Sequence, residues 1–252
     1  MSKDFKDYFS SVSTNYVKNR PTYPPALFDW LAGQCMSHGL VWDCGTGNGQ
    51  AATELVRYFD RVLATDASAA QIAHAVVHPK IEYRVASAER NGIDSQCVDL
   101  VVIAQALHWF DLNRFYVEVF RVLKPGGLVA AWSYGVLKTE DEEINAMIQR
   151  FYHDEIGPYW PPERKHVETG YSDLAFPFTR IPTPSFAMSA NWTLEQLLGY
   201  FRSWSATAKF IKDKGFDPVS SLEFSLRDLW KDINQRRIVE WPLAILLGST
   251  IR

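Results

Sequence analysis

Three glycines stand at every second position in one short stretch of the chain, Gly45, Gly47 and Gly49. An apolar, strand-like segment precedes them and a helix-like segment follows, so the backbone of the turn can approach a ligand closely while the helix offers free N–H groups. Asp43 ends the strand, where a carboxylate repels a pyrophosphate and attracts a cationic amino group. Asp66 ends the next predicted strand and can accept two hydrogen bonds from ribose hydroxyls. These residues predict a site for an adenosine-type ligand.

The same turn leaves a second class of ligand open. Dinucleotide enzymes also place a glycine turn after the first strand and an acid at the end of the second, usually with the spacing G-x-G-x-x-G. Here the pattern is D-x-G-x-G-x-G, from Asp43 to Gly49. The shorter spacing and the acid before it favour an amino-acid head group over a pyrophosphate, and a nicotinamide dehydrogenase remains an alternative.

The elements that must position this turn follow from hydrophobic periodicity. Strand-like and helix-like segments alternate along residues 40–133, through five strands. Strict alternation implies a parallel sheet with helices on both faces, which is a doubly wound α/β fold. In such sheets, ligands bind beyond the carboxyl ends of the strands, where the strand order reverses.

We predict a single domain over residues 1–252, with a change of pattern near residue 140. An amphipathic helix is followed by a segment rich in proline and aromatic residues that has no period, and then by two helices and a last strand. The predicted parts are an N-terminal helical cap (1–39), a cofactor-binding core (40–136), a lid and substrate region (137–215), and a last helix and strand (216–252).

Composition excludes several classes of protein. The net charge of −3 shows no excess of basic residues, so we expect no nucleic-acid partner, and no apolar run reaches the roughly 18 residues that a membrane span requires. The N-terminus is polar and does not resemble a signal peptide. Cys35, Cys44 and Cys97 lack CxxC spacing, and His74 and His78 have no third ligand nearby, so we expect reduced thiols in a cytoplasmic protein and no metal site. The partner would be a small molecule, and the chain a monomer or homodimer.

Five segments of the chain resemble, in order and at the expected spacing, the motifs of class I S-adenosylmethionine-dependent methyltransferases. They are "DCGTGNG", "ATDAS", "VASAER", "VDLVVIAQALHWFD" and "RVLKPGGLVAAW". The N-terminal "NYVKNRPTYPPALFDWL" resembles the opening of a small-molecule branch that includes trans-aconitate methyltransferases. This resemblance implies a Rossmann-like sheet of seven strands with a helical and aromatic lid after the fifth, S-adenosylmethionine as cofactor, and S-adenosylhomocysteine as product.

The resemblance also implies roles for the residues of the cofactor site. The backbone at the glycine turn would face the methionine end, with Asp43 near its amino group, and Asp66 would hold the ribose. The loop that flanks the adenine carries Ser87 where many relatives have Asp, and Gln105 and Ala106 would lie under the sulfonium. The predicted cofactor residues are Asp43, Gly45, Thr46, Gly47, Asp66, Ala67, Ser87, Ala88, Glu89, Gln105, Ala106 and Arg20.

The acceptor is not named by the motifs, and three readings stay open. A carboxylate needs no base and favours a guanidinium donor, for which Arg164 is available, although Arg164 to His166 could equally be a solvated charge run. A phenol, an enol or a carbon acid needs a base, and His108 is the first candidate, although a core histidine is equally consistent. The third reading is a regulatory module that binds S-adenosylmethionine without catalysis. The candidate catalytic residues are His108 and Tyr16, and the candidate substrate residues are Trp109, Tyr134, Tyr159, Trp160 and Arg164.

Overall fold

The computed structural model describes residues 21–250 of the 252-residue chain. The helices are Pro25–Gln34 (α1), Gln50–Leu55 (α2), Ala69–Ala73 (α3), Leu112–Val122 (α4), Glu142–Arg150 (α5), Arg164–Glu168 (α6), Leu194–Arg202 (α7), Ser205–Lys214 (α8) and Val219–Trp230 (α9). The strands are Leu40–Cys44 (β1), Arg61–Asp66 (β2), Ile81–Val85 (β3), Val98–Ala104 (β4), Leu123–Tyr134 (β5), Lys138–Thr139 (β6), Thr179–Ile181 (β7), Phe186–Trp192 (β8) and Arg237–Ser249 (β9). Short 3₁₀ turns cover Leu107–Trp109 and Gly157–Tyr159, and a π-helical turn covers Phe151–Glu155.

One sheet runs through the described residues in the order β3-β2-β1-β4-β5-β9-β6, with β7 and β8 also paired to β9. Strands β1 to β5 are mutually parallel, and β9 runs antiparallel to β5. The predicted doubly wound, mostly parallel α/β sheet is confirmed. Because the strand order reverses between β1 and β4, the crevice for a ligand lies at their carboxyl ends.

The sheet has nine strands rather than the seven expected, and the long strand β9 accounts for the difference. Its C-terminal half pairs with β5 on one side and β7 on the other, whereas its N-terminal half pairs with β8 and β6. With thirteen residues, β9 is long enough to pair with two strands along each of its edges. The region 137–215, expected as a lid, therefore contributes three short strands to the main sheet.

Two apolar cores, one on each face of the sheet, hold the strands in place. Successive strand residues alternate between them: Val41 belongs to the core that contains α1, and Trp42 to the core that contains α4. The surplus of aromatic residues is largely core, because Trp42, Trp132, Trp230 and Trp241 are fully buried. None of the helices in residues 21–250 is long and apolar enough to cross a membrane.

Candidate functional site

The glycine turn after β1 packs directly against the residues that follow β4. Gly45 has a φ of +71°, and a Cβ atom added there would lie 2.6 Å from the Ala106 Cβ and 3.2 Å from the Phe110 ring. Positive φ and this lack of space both require glycine. The close approach brings the chain after β1 and the chain after β4 together at the crevice.

Asp43 lies at the end of β1 and is completely buried. Its Oδ2 accepts a hydrogen bond from the Thr46 hydroxyl at 2.5 Å, whereas its Oδ1 has no hydrogen-bond partner among the described residues. Burial raises the pKa of Asp43 to about 7, and the Thr46 hydroxyl lowers it only in part. A charged carboxylate buried without a full set of partners is costly unless a cation lies nearby, and the ammonium group of S-adenosylmethionine would supply that charge at this turn.

Asp66 joins the glycine turn to the end of β2. Its Oδ2 accepts a hydrogen bond from the Gly47 backbone N–H at 2.8 Å, and its Oδ1 accepts one from the Ser68 N–H at 2.8 Å. The N-cap of α3 is Ser68, whose hydroxyl accepts from the Gln71 N–H. Asp66 therefore ties the glycine turn to the end of β2, at the position where the resemblance implied a contact with the ribose.

The predicted adenine loop is held to the start of α4. Glu89 Oε1 accepts a hydrogen bond from the Asp111 backbone N–H at 3.0 Å, and Ser87 forms an isolated bridge with Arg90. Ala88 is buried, whereas Ala67 beyond β2 is exposed. Glu89 thus has a structural partner in the protein, which the sequence motif did not reveal.

Gln105, the first residue beyond β4, has a φ of +57° and a side chain that pairs with the backbone of Tyr134. Its Nε2 donates to the Tyr134 carbonyl and its Oε1 accepts from the Tyr134 N–H, both at 3.0 Å. The amide therefore continues the β4–β5 ladder by one step. The resemblance implied a place under the sulfonium, whereas the side-chain amide is committed to fixing Tyr134 at the end of β5.

His108 lies in the 3₁₀ turn after β4 and is only 8% exposed. Its Nδ1 lies 3.0 Å from the Tyr171 hydroxyl, and its ring centroid lies 4.6 Å from that of Trp109. Burial, together with the charges of Arg164 and His166, lowers the pKa of His108 to about 3. The imidazole is therefore neutral at physiological pH and a weak base.

Arg164 and Trp160, both predicted to be substrate residues, contact each other in the predicted lid region. The Arg164 guanidinium lies 4.8 Å from the Trp160 ring, and its Nε donates a 2.7 Å hydrogen bond to the Tyr152 hydroxyl. Tyr152 in turn donates to Glu168 Oε1 at 2.8 Å. Within residues 21–250, no hydrogen bond engages the two terminal nitrogens of Arg164.

Other predicted residues lie apart from this group or outside the structure. The Tyr159 hydroxyl donates to Asp213 Oδ2 at 2.7 Å and its ring packs on Phe210, so Tyr159 belongs to the contact with α8. Tyr16 and Arg20 lie outside the described residues. No group of three or more candidate metal ligands occurs in residues 21–250.

Two pockets that are open to solvent lie near these side chains. A cavity of about 420 Å³ lies between the loop after β4 and α6, and its wall includes His108, Glu163 and His166. A second cavity, of about 320 Å³, is lined by Trp160 and Arg164 among others. Space for a small acceptor is thus present on the lid side of the β4 loop.

Sequence reasoning missed Tyr171, the hydrogen-bond partner of His108. It lies in the segment without a period, which gave no signal that one of its residues would be fully buried. Gly170 before it was the available hint, since glycine often ends a short helix.

Comparisons with known proteins found methyltransferases over most of the chain. A family model described as a methyltransferase domain matches residues 42–131. A protein of Dictyostelium discoideum named as a methyltransferase is 34% identical over 251 residues, which cover 97% of this chain and 95% of that protein. An uncharacterised methyltransferase of Mycobacterium tuberculosis is 33% identical over 87% of each chain. A solved structure described as a type II methyltransferase, from Anaeromyxobacter dehalogenans, is 41% identical with a TM-score of 0.86, over 91% of this chain and 97% of that one.

Proposed function

Because this chain belongs to the class I S-adenosylmethionine-dependent methyltransferases, we propose that it methylates a carboxylate oxygen of a small molecule. S-adenosylmethionine, when bound, supplies a methyl group that its sulfonium charge has already activated. The work left to the protein is to align an acceptor oxygen with that methyl group and to exclude water, and alignment alone can contribute roughly 7–11 kcal/mol.

The carboxylate proposal rests on the way the guanidinium of Arg164 is held and on which of its nitrogens are hydrogen-bonded. Stacking on Trp160 and the hydrogen bond to Tyr152 hold the guanidinium, while both terminal nitrogens have no partner within the described range. A planar guanidinium with two free N–H groups matches the two oxygens of a carboxylate. Arg164 is also close enough to His108 to lower its pKa, so it belongs to the same electrostatic environment.

The properties of His108 speak against the alternative acceptors. Methylation of a phenol, a quinone-like ring or a carbon acid needs a proton acceptor whose pKa lies near the working pH. A conjugate-acid pKa of about 3 makes the His108 imidazole a poor base for such groups. A carboxylate is already ionised at neutral pH and needs no base.

An acceptor screen tests the proposal. Purified protein and S-adenosylmethionine are incubated with mono-, di- and tricarboxylic acids, phenols and amines, and S-adenosylhomocysteine release is measured. We expect release with at least one acid, and a KM for that acid that rises by roughly ten- to a hundredfold in Arg164→Met, since a charge-assisted hydrogen bond contributes about 1.5–3 kcal/mol.

The matched control is Arg180→Met. Arg180 also stacks on an aromatic ring, that of Phe176 at 4.6 Å, but it lies on β7 rather than beside His108. This variant should leave the KM for the acid unchanged. Release with phenols or amines alone would contradict the carboxylate proposal.

A further inference from the structure

Tyr171 adopts a backbone conformation that a bulky residue rarely takes. Its φ is +63° and it follows Gly170, whose φ is +60°. The Tyr171 N–H donates to the His166 carbonyl at 2.8 Å and the Gly170 N–H to the Val167 carbonyl at 3.0 Å, so both residues close the end of α6. A tyrosine in the left-handed backbone region is strained. Such strain persists where the surrounding structure fixes the residue, and it is common at functional sites.

The surroundings of the Tyr171 hydroxyl determine where its hydrogen goes. Tyr171 is fully buried, and among the described residues the one hydrogen-bond partner of its hydroxyl is His108 Nδ1, which lies 3.0 Å away. A buried hydroxyl hydrogen without an acceptor is costly, so the hydroxyl donates its hydrogen to this nitrogen, and Nδ1 must be unprotonated. A neutral imidazole carries a single N–H, and this hydrogen must then be on Nε2.

We propose that Tyr171 is a positioning residue that holds His108 as the Nε2–H tautomer, so that His108 offers a hydrogen-bond donor rather than a base to the acceptor. The part that concerns a carboxylate acceptor rests on the proposed function, whereas the tautomer does not. Burial and the nearby Arg164 charge lower the pKa of His108, and an imidazole N–H within reach of that charge favours an anionic oxygen over a neutral one. The same tautomer leaves no free ring nitrogen to take a proton from a phenol, so Tyr171 would make the site selective for acceptors that arrive ionised.

Nuclear magnetic resonance of the histidine ring nitrogens tests the tautomer directly. Protein labelled with ¹⁵N-histidine is recorded at neutral pH, and His108→Gln identifies the His108 signals. We expect the wild-type spectrum to show an unprotonated Nδ1 and a protonated Nε2. In Tyr171→Phe the Nδ1 resonance should shift, because its hydrogen bond is lost, and both tautomers should become populated.

Tyr116→Phe is the matched control. The Tyr116 ring is buried in the same core, and its hydroxyl donates to the Ala175 carbonyl at 2.7 Å, so the variant loses a comparable hydrogen bond without touching His108. It should leave the His108 signals unchanged. A wild-type His108 with its hydrogen on Nδ1 would overturn the proposal, and this measurement does not depend on how well Tyr171→Phe folds. Unchanged His108 signals in a folded Tyr171→Phe protein would overturn it as well.

A kinetic arm links the tautomer to the acceptor. For the acid that gives the fastest S-adenosylhomocysteine release, Tyr171→Phe should raise the KM about tenfold and leave the calorimetric affinity for S-adenosylhomocysteine unchanged. A KM that matches wild type would overturn the link to the acceptor. If no acid is methylated, the proposed function fails, while the ring-nitrogen measurement still decides the tautomer.

Discussion

The two sides of the candidate site are built by different means. On the cofactor side, the glycine turn is held by short-range contacts at the ends of β1 and β2: Thr46 donates to Asp43, and the Gly47 N–H donates to Asp66, 19 residues along the chain. On the acceptor side, long side chains meet across the fold, and His108 and Tyr171 are 63 residues apart in sequence. Strand order fixes the first side, whereas packing of the lid segment fixes the second. Substitutions on the cofactor side should therefore change binding and stability by steric overlap or by a changed charge. Substitutions on the acceptor side should change them by the loss of single hydrogen bonds.

The largest effect is expected for Gly45→Ala. The new methyl group would collide with Ala106 and Phe110, and alanine would be strained at a φ of +71°. Overpacking and strain together should lower the free energy of unfolding by about 2–5 kcal/mol and abolish S-adenosylmethionine binding. Urea denaturation and isothermal titration calorimetry measure the two effects.

Gly92→Ala separates the effect of steric overlap from the effect of backbone strain. Gly92 has nearly the same φ, +70°, but no atom lies within 4 Å of the added Cβ. This variant should lose only about 1–2 kcal/mol and keep its affinity for the cofactor. Equal losses in the two variants would mean that the contact between the glycine turn and the β4 loop does not matter.

The second prediction concerns pH and Asp43. Below its pKa of about 7 the Asp43 carboxyl is neutral and cannot pair with the ammonium group of the cofactor. The affinity for S-adenosylmethionine should therefore fall on the order of tenfold between pH 7.5 and pH 5.5. Calorimetry on Asp43→Asn provides the control, because its affinity should be lower but should follow only the titration of the ligand. A parallel pH profile in both proteins would exclude Asp43 as the titrating group.

The same carboxyl affects the stability of the unliganded protein with the opposite sign. The folded protein keeps the Asp43 proton up to about pH 7, whereas the unfolded chain releases it near the ordinary value of 3.8. The folded state then binds more protons, so this group lowers the free energy of unfolding as the pH rises from about 4 to 7. Urea titrations of wild type and Asp43→Asn at both ends of this range measure its contribution.

Sequence located the glycine turn and its two acids because such signals are local. A glycine turn and an acid at a strand end depend on neighbouring residues, and the structure places Asp43 and Asp66 at the ends of β1 and β2. Local signals are weaker where packing decides. The apolar residues Val76 and Val77 follow α3 closely in sequence, yet the helix ends at Ala73, and these two side chains are 61% and 91% exposed.

The acceptor side was harder to predict because its contacts depend on register and on distant chain. The resemblance implied a place under the sulfonium for Gln105, but only the pairing of β4 with β5 decides that its amide faces the Tyr134 backbone. Tyr171 reaches His108 through an aperiodic segment, whose course depends on α6 and on its left-handed end. The three strands of the lid region likewise needed the full length of β9 as a partner.

The smallest effect is expected for Gln105→Ala, and it decides to which side Gln105 belongs. Loss of two hydrogen bonds to the Tyr134 backbone should lower the free energy of unfolding by about 1–2 kcal/mol. Gln96→Ala is the control, because Gln96 has a similar φ of +53° and is exposed, and its change should stay within about 0.5 kcal/mol. If Gln105 acts by fixing Tyr134, the variant raises the acceptor KM and leaves the affinity for S-adenosylmethionine unchanged. A weaker affinity with an unchanged acceptor KM would return Gln105 to the cofactor side, where the sequence motif had placed it.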